Sequence, residues 1–295
     1  MGPRARAGLI AAALAGVLAG CSPAGSAAPS PAPSSVSPTA AGPISAVVDQ
    51  FRDGYASGTI VLQLENTTAG PVTVVRAELA DARFADGTAW AGSEELAPGL
   101  TLSLPAVAAP PRCGQADDGA PSVRLTLADG SVRTVAATDP HAVLPRIHAD
   151  ACFAERVAAV VTLRLADTLA PGEPPGTAVL TLALGAPASP PPSPQPGQSA
   201  VTLVSVGNTT LLDEDPGAPW PRDVSLTAGG PPVRLAVRPA RCDPHAVAED
   251  KVGTLIPLTL RLGGATGTVK VAATPALRAE IYAFVARSCG WPTSQ

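Results

Sequence analysis

Aromatic residues are scarce in this chain: three Trp, two Tyr and four Phe among 295 residues. Methionine occurs once, at Met1, which rules out methionine-rich copper handling. There are two lysines, no basic run and no interleaving of aromatic with basic residues, so nucleic acid is not an expected partner. No C-x-x-C pair occurs, which argues against a thiol oxidoreductase. G-x-S-x-G and phosphate-cradling glycine loops are also missing, so neither the nucleophile elbow of a hydrolase nor a nucleotide site is indicated. Beyond the first 20 residues no apolar stretch reaches the length of a membrane span. A core this poor in aromatics must be filled by Val, Leu, Ile and Ala.

What is present begins at the N-terminus. Arg4 and Arg6 precede an apolar run from Leu9 to Leu18, too short to remain as a spanning helix, which reads as an export signal over residues 1–20. Leu18, Ala19, Gly20 and Cys21 close that segment and are similar to the lipobox of bacterial lipoproteins. The resemblance implies cleavage before Cys21, diacylglycerol on its thiol and an acyl chain such as palmitate on the new amine in some bacteria. Residues 21–42 are nearly all Ser, Pro, Ala and Gly and should form a disordered tether, reaching at most about 65 Å. Loss of Arg4 and Arg6 leaves 18 basic against 24 acidic residues, a net charge near −6. The excess of Arg over Lys, with abundant Ala, Gly and Pro, is actinobacterium-like.

The rest carries an internal repeat. "GTIVLQL" from Gly58 matches "GTAVLTL" from Gly176, and "VTVVRAEL" from Val72 matches "VTLVSVGN" from Val201. Trp90 lies 23 residues before Cys113 and Trp220 lies 22 before Cys242. "VAAT" then occurs at Val135 and at Val271, followed after 14 and 15 residues by Cys152 and Cys289. Such ordered matches indicate tandem duplication, with units at 43–153 and 154–295. The proline-rich stretch 187–197 falls between two matched strands and reads as an elongated hairpin loop; an interdomain linker is the alternative. The repeat makes Cys113–Cys152 and Cys242–Cys289 the economical disulfides, and a four-cysteine zinc site is the competing reading.

Alternation in "TIVLQL", "SVRLTL" and "TVKVAAT" is the pattern of half-buried strands, so each unit is expected to be a β-sandwich, mainly β overall. "TPALRAEIYAFVARSCG" predicts a helix with Thr274 as N-cap, Pro275 first, Leu277, Ile281, Phe284 and Val285 on one stripe, and Gly290 as stop. Its counterpart before Cys152 should be shorter, interrupted by Pro145. The units resemble immunoglobulin-like sandwiches in size and strand count, although tryptophan here precedes the first cysteine.

Few residues suggest a site. "DPHAV" occurs at Asp139 and at Asp243, at different places in the repeat, and reads as a helix start. The sharper reading groups His245 with Asp243, Glu249 and Asp250 as a metal cluster, or His141 with His148. Carboxylate pairs, Glu94 with Glu95 and Asp213 with Asp215 around Glu214, fall in expected loops. Trp90 and Trp220 are candidates for binding, with core filling as the alternative. Together these features predict a lipid-anchored protein on the extracytoplasmic face of the cell membrane. It is expected to be non-catalytic and without cofactor, recognising an envelope protein or polymer, or a small ligand in the groove between units. A metal-binding or metal-delivery role is the alternative.

Overall fold

Alternating sequence becomes alternating burial. Strand β1 (Ile44–Asp49) buries Ile44, Ala46 and Val48 and leaves the residues between them at the surface, as a half-buried strand must. The computed structural model describes residues 43–114, 119–188 and 200–291. The lipobox-like segment with Cys21, the tether to residue 42, and residues 189–197 of the proline-rich loop lie outside the described residues. The chain is mainly β, and the described residues form one compact unit.

After β1 come β2 (Thr59–Asn66), β3 (Val72–Ala80), β4 (Ala89–Leu96), β5 (Thr101–Val107), β6 (Ser122–Leu127) and β7 (Val132–Thr138). They pair in the order β4-β3-β6-β7-β1-β2-β5, antiparallel except for a short parallel register of β1 with β7. Ile60, Leu62 and Leu64 from β2 share one core with Val74 and Ala77 from β3, so the two ends of this sheet enclose a common interior.

Helix α1 (Val143–Ala158) follows, with 16 residues against 14 in the C-terminal helix. Pro145 does not shorten it. It is the third residue of the helix, in the first turn, where a backbone N–H has no intrahelical acceptor to lose. Ala142 turns the chain in the left-handed region at φ 48°, and Asp139 reaches forward so that its Oδ1 accepts the Val143 N–H (2.7 Å) and its Oδ2 the Leu144 N–H (2.8 Å).

Then come β8 (Thr162–Leu165), β9 (Ala170–Pro171), β10 (Ala178–Gly185), β11 (Val201–Val206), β12 (Leu212–Glu214), β13 (Val224–Leu226) and β14 (Val233–Pro239). Helix α2 (Pro244–Ala248), strands β15 (Leu255–Leu262) and β16 (Ala265–Ala272), and helix α3 (Pro275–Ser288) complete the order. One sheet runs β12-β14-β10-β8, with β9 beside β10, and the other β13-β11-β15-β16. Leu180 and Leu182 of the first meet Leu203, Leu258 and Leu260 of the second in a single core. α3 matches its expected signals: Thr274 accepts the Leu277 N–H, Pro275 opens the helix, Leu277, Ile281, Phe284 and Val285 are buried, and Gly290 follows at φ 70°.

The cysteines pair as Cys113–Cys152 and Cys242–Cys289, with Cα atoms 5.6 and 5.3 Å apart, in the ordinary range. Each ties the loop before the later strands to the helix that ends its half. α1 also joins the two interiors: Val143 and Leu144 lie in the first core, Phe153 and Val157 in the second. The Phe153 ring covers Gly267 of β16 so closely that an added Cβ would sit 2.7 Å from it, so only glycine fits there.

Candidate functional site

The residues put forward from sequence do not form one site. Asp243 is the N-cap of α2 and accepts the His245 N–H at 3.0 Å, the helix-start role of "DPHAV". His245 and Glu249 are exposed. Asp250 turns to other partners. Its carboxylate accepts Thr210 Oγ1–H, the Gly253 N–H at 2.9 Å on both oxygens, and Tyr282 Oη–H at 3.1 Å. A Cβ at Gly253 would meet Leu211, Thr210 and Asp250 within 2.8 Å, so glycine is what lets the loop close around that carboxylate. Tyr282 is held above the usual phenol range by burial first, and then by the negative charge and hydrogen bond of Asp250. Among the described residues no three His, Cys, Asp or Glu side chains converge as a metal site requires.

The tryptophans differ. Trp220 is 5% exposed, donates Nε1–H to the Ala236 carbonyl at 2.6 Å and is part of the second core. Its backbone N–H goes to Glu214, whose carboxylate also takes both Nη groups of Arg222 and is thereby held below the usual carboxylate range. Trp90 is only partly buried, on β4 against the first core. Glu94 and Glu95 lie exposed on that same strand, while Asp213 pairs with Arg238 at 3.6 Å and Asp215 closes a turn on Gly217. Asn66, which opens the glycosylation-type triplet Asn66-Thr67-Thr68, is fully buried and hydrogen-bonded to the Gly70 and Leu96 carbonyls, which leaves it inaccessible to glycosylation in the folded chain.

His141 is exposed, and His148 is in a different setting. The Nε2 of His148 lies 3.3 Å from the Arg112 carbonyl, within reach of a hydrogen bond to it. The His148 ring stands edge-on to Phe84, beside a pair that sequence reading missed, Asp81 with Arg83. The Asp81 side chain is wholly buried and takes two bonds from the Arg83 guanidinium, at 2.8 and 2.7 Å. Burial alone would raise this carboxyl, but the bonds from Arg83 outweigh it and hold it below the ordinary value. An i, i+2 pair on a turn carries no sequence signal distinguishing it from a solvated one.

A groove of about 210 Å³ draws on both halves and is lined by Tyr55, Gly58, Arg146, Asp150, Thr268 and Lys270, among others. Tyr55 leaves the short turn Arg52–Gly54 after β1, Arg146 projects from α1 and Lys270 from β16. The Arg146 Cζ lies 5.7 Å and the Lys270 Nζ 5.2 Å from the Tyr55 ring centroid, so the two charges are at most about 11 Å apart. Arg146 donates to Gln50 Oε1 at 2.9 Å, and Gln50 in turn donates to the Thr59 carbonyl at 3.2 Å. Among the described residues neither Arg146 nor Lys270 forms an ion pair, and both are exposed. A ring holding two cations without neutralising them leaves both able to meet an anion.

The chain matches no family model and no curated protein. Among solved structures it is similar to a protein of unknown function from Porphyromonas gingivalis W83, at 13% identity and a TM-score of 0.19 over 79% of this chain and 99% of that one. It is also similar to red sea bream transglutaminase, at 11% identity and a TM-score of 0.23 over 79% of this chain and 31% of that one, and to the YadV chaperone, at 11% identity and a TM-score of 0.19 over 77% and 98%. Likenesses this slight carry no argument about what the chain does.

Proposed function

We propose that this chain is a lipoprotein anchored through Cys21 to the extracytoplasmic face of the cell membrane. In this reading it acts as a non-catalytic recognition module of the envelope, built from two diverged copies of one immunoglobulin-like β-sandwich. Duplication is supported by strand pairing: β1–β2, β2–β5, β3–β4, β3–β6 and β6–β7 correspond to β8–β10, β10–β14, β11–β13, β11–β15 and β15–β16, all antiparallel. Each copy then ends in a helix that carries, or is capped by, a disulfide cysteine. Two formed disulfides suit an exported chain. The observation that carries recognition is the groove, because its walls come from both halves and, among the described residues, neither of its two cations is ion-paired, although Asp150 shares the lining. The metal reading of Asp243, His245, Glu249 and Asp250 is weaker, since Asp243 and Asp250 are already hydrogen-bonded to the backbone and hydroxyl groups around them.

The test is site-specific photocrosslinking in intact cells of the native host, with a photoreactive residue at Thr268 in the groove and, as control, at Glu94 on the far strand β4. A reproducible adduct with an envelope component at Thr268 and none at Glu94 supports the reading. Equal labelling at both positions, or none at either, overturns it.

A further inference from the structure

We infer that the groove takes one anionic sugar residue, a saccharide ring bearing a carboxylate or a phosphate; this rests on the recognition reading above and names its ligand class. Three observations carry it. The first is size: about 210 Å³ is below the roughly 300–1,000 Å³ of a site that encloses a drug-sized molecule and suits a single ring with its substituents. The second is charge. The chain is acidic overall, yet two cations converge within about 11 Å on this groove, and the residue that gathers them is a neutral ring. Cation–π contact fixes their positions without cancelling their charge, and guanidinium and ammonium groups each supply several N–H donors to an oxyanion. The third is the remaining wall. Thr268 offers a hydroxyl that can donate to or accept from a sugar hydroxyl, and Asp150 a carboxylate that can accept from one.

The groove is shallow and open to water, so the expected affinity is weak, with a dissociation constant of about a millimolar. Titration calorimetry on the full chain, purified in neutral detergent with its disulfides intact, uses four probes: glucuronate, glucose 6-phosphate, glucose and an acidic oligosaccharide of galacturonate. Glucuronate and glucose 6-phosphate are expected to bind and glucose not, with the affinity falling as salt rises. Arg146→Ala and Lys270→Ala should each weaken binding about tenfold, the loss of one charge-assisted hydrogen bond. Both side chains are exposed, so an unchanged circular dichroism melt is expected to show that each variant is folded. A tighter oligosaccharide than monomer assigns the ligand to a polymer, and equal affinities assign it to a free solute; either supports the inference. Equal binding of glucose, binding unaffected by both substitutions, or no heat from any anion overturns it. If the anions fail while crosslinking at Thr268 persists, the ligand class falls and the recognition reading stands; if crosslinking is lost as well, both fall.

Discussion

Asp250→Ala separates a carboxylate that holds the second half together from one that awaits a metal. In the structure this side chain gathers three donors from separate segments: Thr210 from the loop before β12, the Gly253 N–H from the loop after α2, and Tyr282 from α3. A hydrogen bond to a charged group contributes about 1.5–3 kcal/mol when well buried, and this carboxylate is only partly buried. About 1 kcal/mol for each donor is therefore appropriate, and the substitution should cost about 3 kcal/mol. With a urea m-value of about 3 kcal/mol per molar, the unfolding midpoint drops by about 1 M. Trp220 is buried in the affected core, so tryptophan fluorescence in urea reads the change directly. A second readout is the titration of Tyr282. Burial and Asp250 both raise it, so removing the charge should bring it back toward the ordinary phenol value, measured by ultraviolet difference absorbance between pH 9 and 12. The sign is fixed: a raised phenol favours the folded state below pH about 10 and loses that contribution as pH climbs through the folded value, so the variant should be less sensitive to alkali. A midpoint shift below about 0.2 M would refute the tie, since three hydrogen bonds to a carboxylate cannot be lost at so small a cost. So would wild-type protein gaining several degrees of melting temperature with zinc or calcium, and Asp250→Ala losing that gain.

Replacing Cys242 and Cys289 together by Ser opens a loop with a sequence separation of 47 and should cost about 4 kcal/mol in the loop-entropy model, read from urea unfolding under non-reducing conditions. Asp81→Asn should cost about 2 kcal/mol at pH 7, because the two hydrogen bonds from the Arg83 guanidinium lose their charged acceptor. Since the Asp81 carboxyl is held below its ordinary value, the stability it provides is present above pH about 4 and disappears as pH falls through the folded value, so the melting temperature of the variant should fall less steeply on acidification than that of wild type. Cys21→Ala should abolish labelling by radioactive palmitate and move the protein from the membrane to the soluble fraction; unchanged fractionation would remove the lipid anchor from the proposal.

Much of the fold was legible because it rests on local rules. Period-two burial in β1, β6 and β15 is written directly in their residues, and Thr274, Pro275 and Gly290 bound α3 by chemistry confined to its own ends. The disulfide pairs followed from matching the two halves. Pro145 misled because its effect depends on where the helix begins, and that start is set by a left-handed Ala142 and a carboxylate four residues upstream, neither of which a propensity scale weighs. Trp90 and Trp220 occupy matching places in the repeat but not matching environments: one lies half-covered on a strand and the other is sealed by its bond to Ala236. The groove was legible only as a place between two halves. Its residues, at 55, 146 and 270, come from a turn, a helix and a strand, with no motif to link them, and only packing brings them together.

That packing runs through α1. Within one helix of 16 residues, Val143 and Leu144 are fixed in the first interior, Phe153 and Val157 in the second, and Cys152 is bonded back to Cys113. Arg146 lies between these anchors, one turn from the first set and two from the second. Its position relative to Lys270 is thus set by a clamped helix and by Phe153 seated on Gly267, three residues along β16 from Lys270 itself. A flexible connection between two independent sandwiches would leave the two cations at a variable distance and the proposed anion weakly held. A helix embedded in both cores instead makes the spacing of the charges a property of the fold, which is the condition for the groove to select a ligand by where its charge sits as well as by how much it carries.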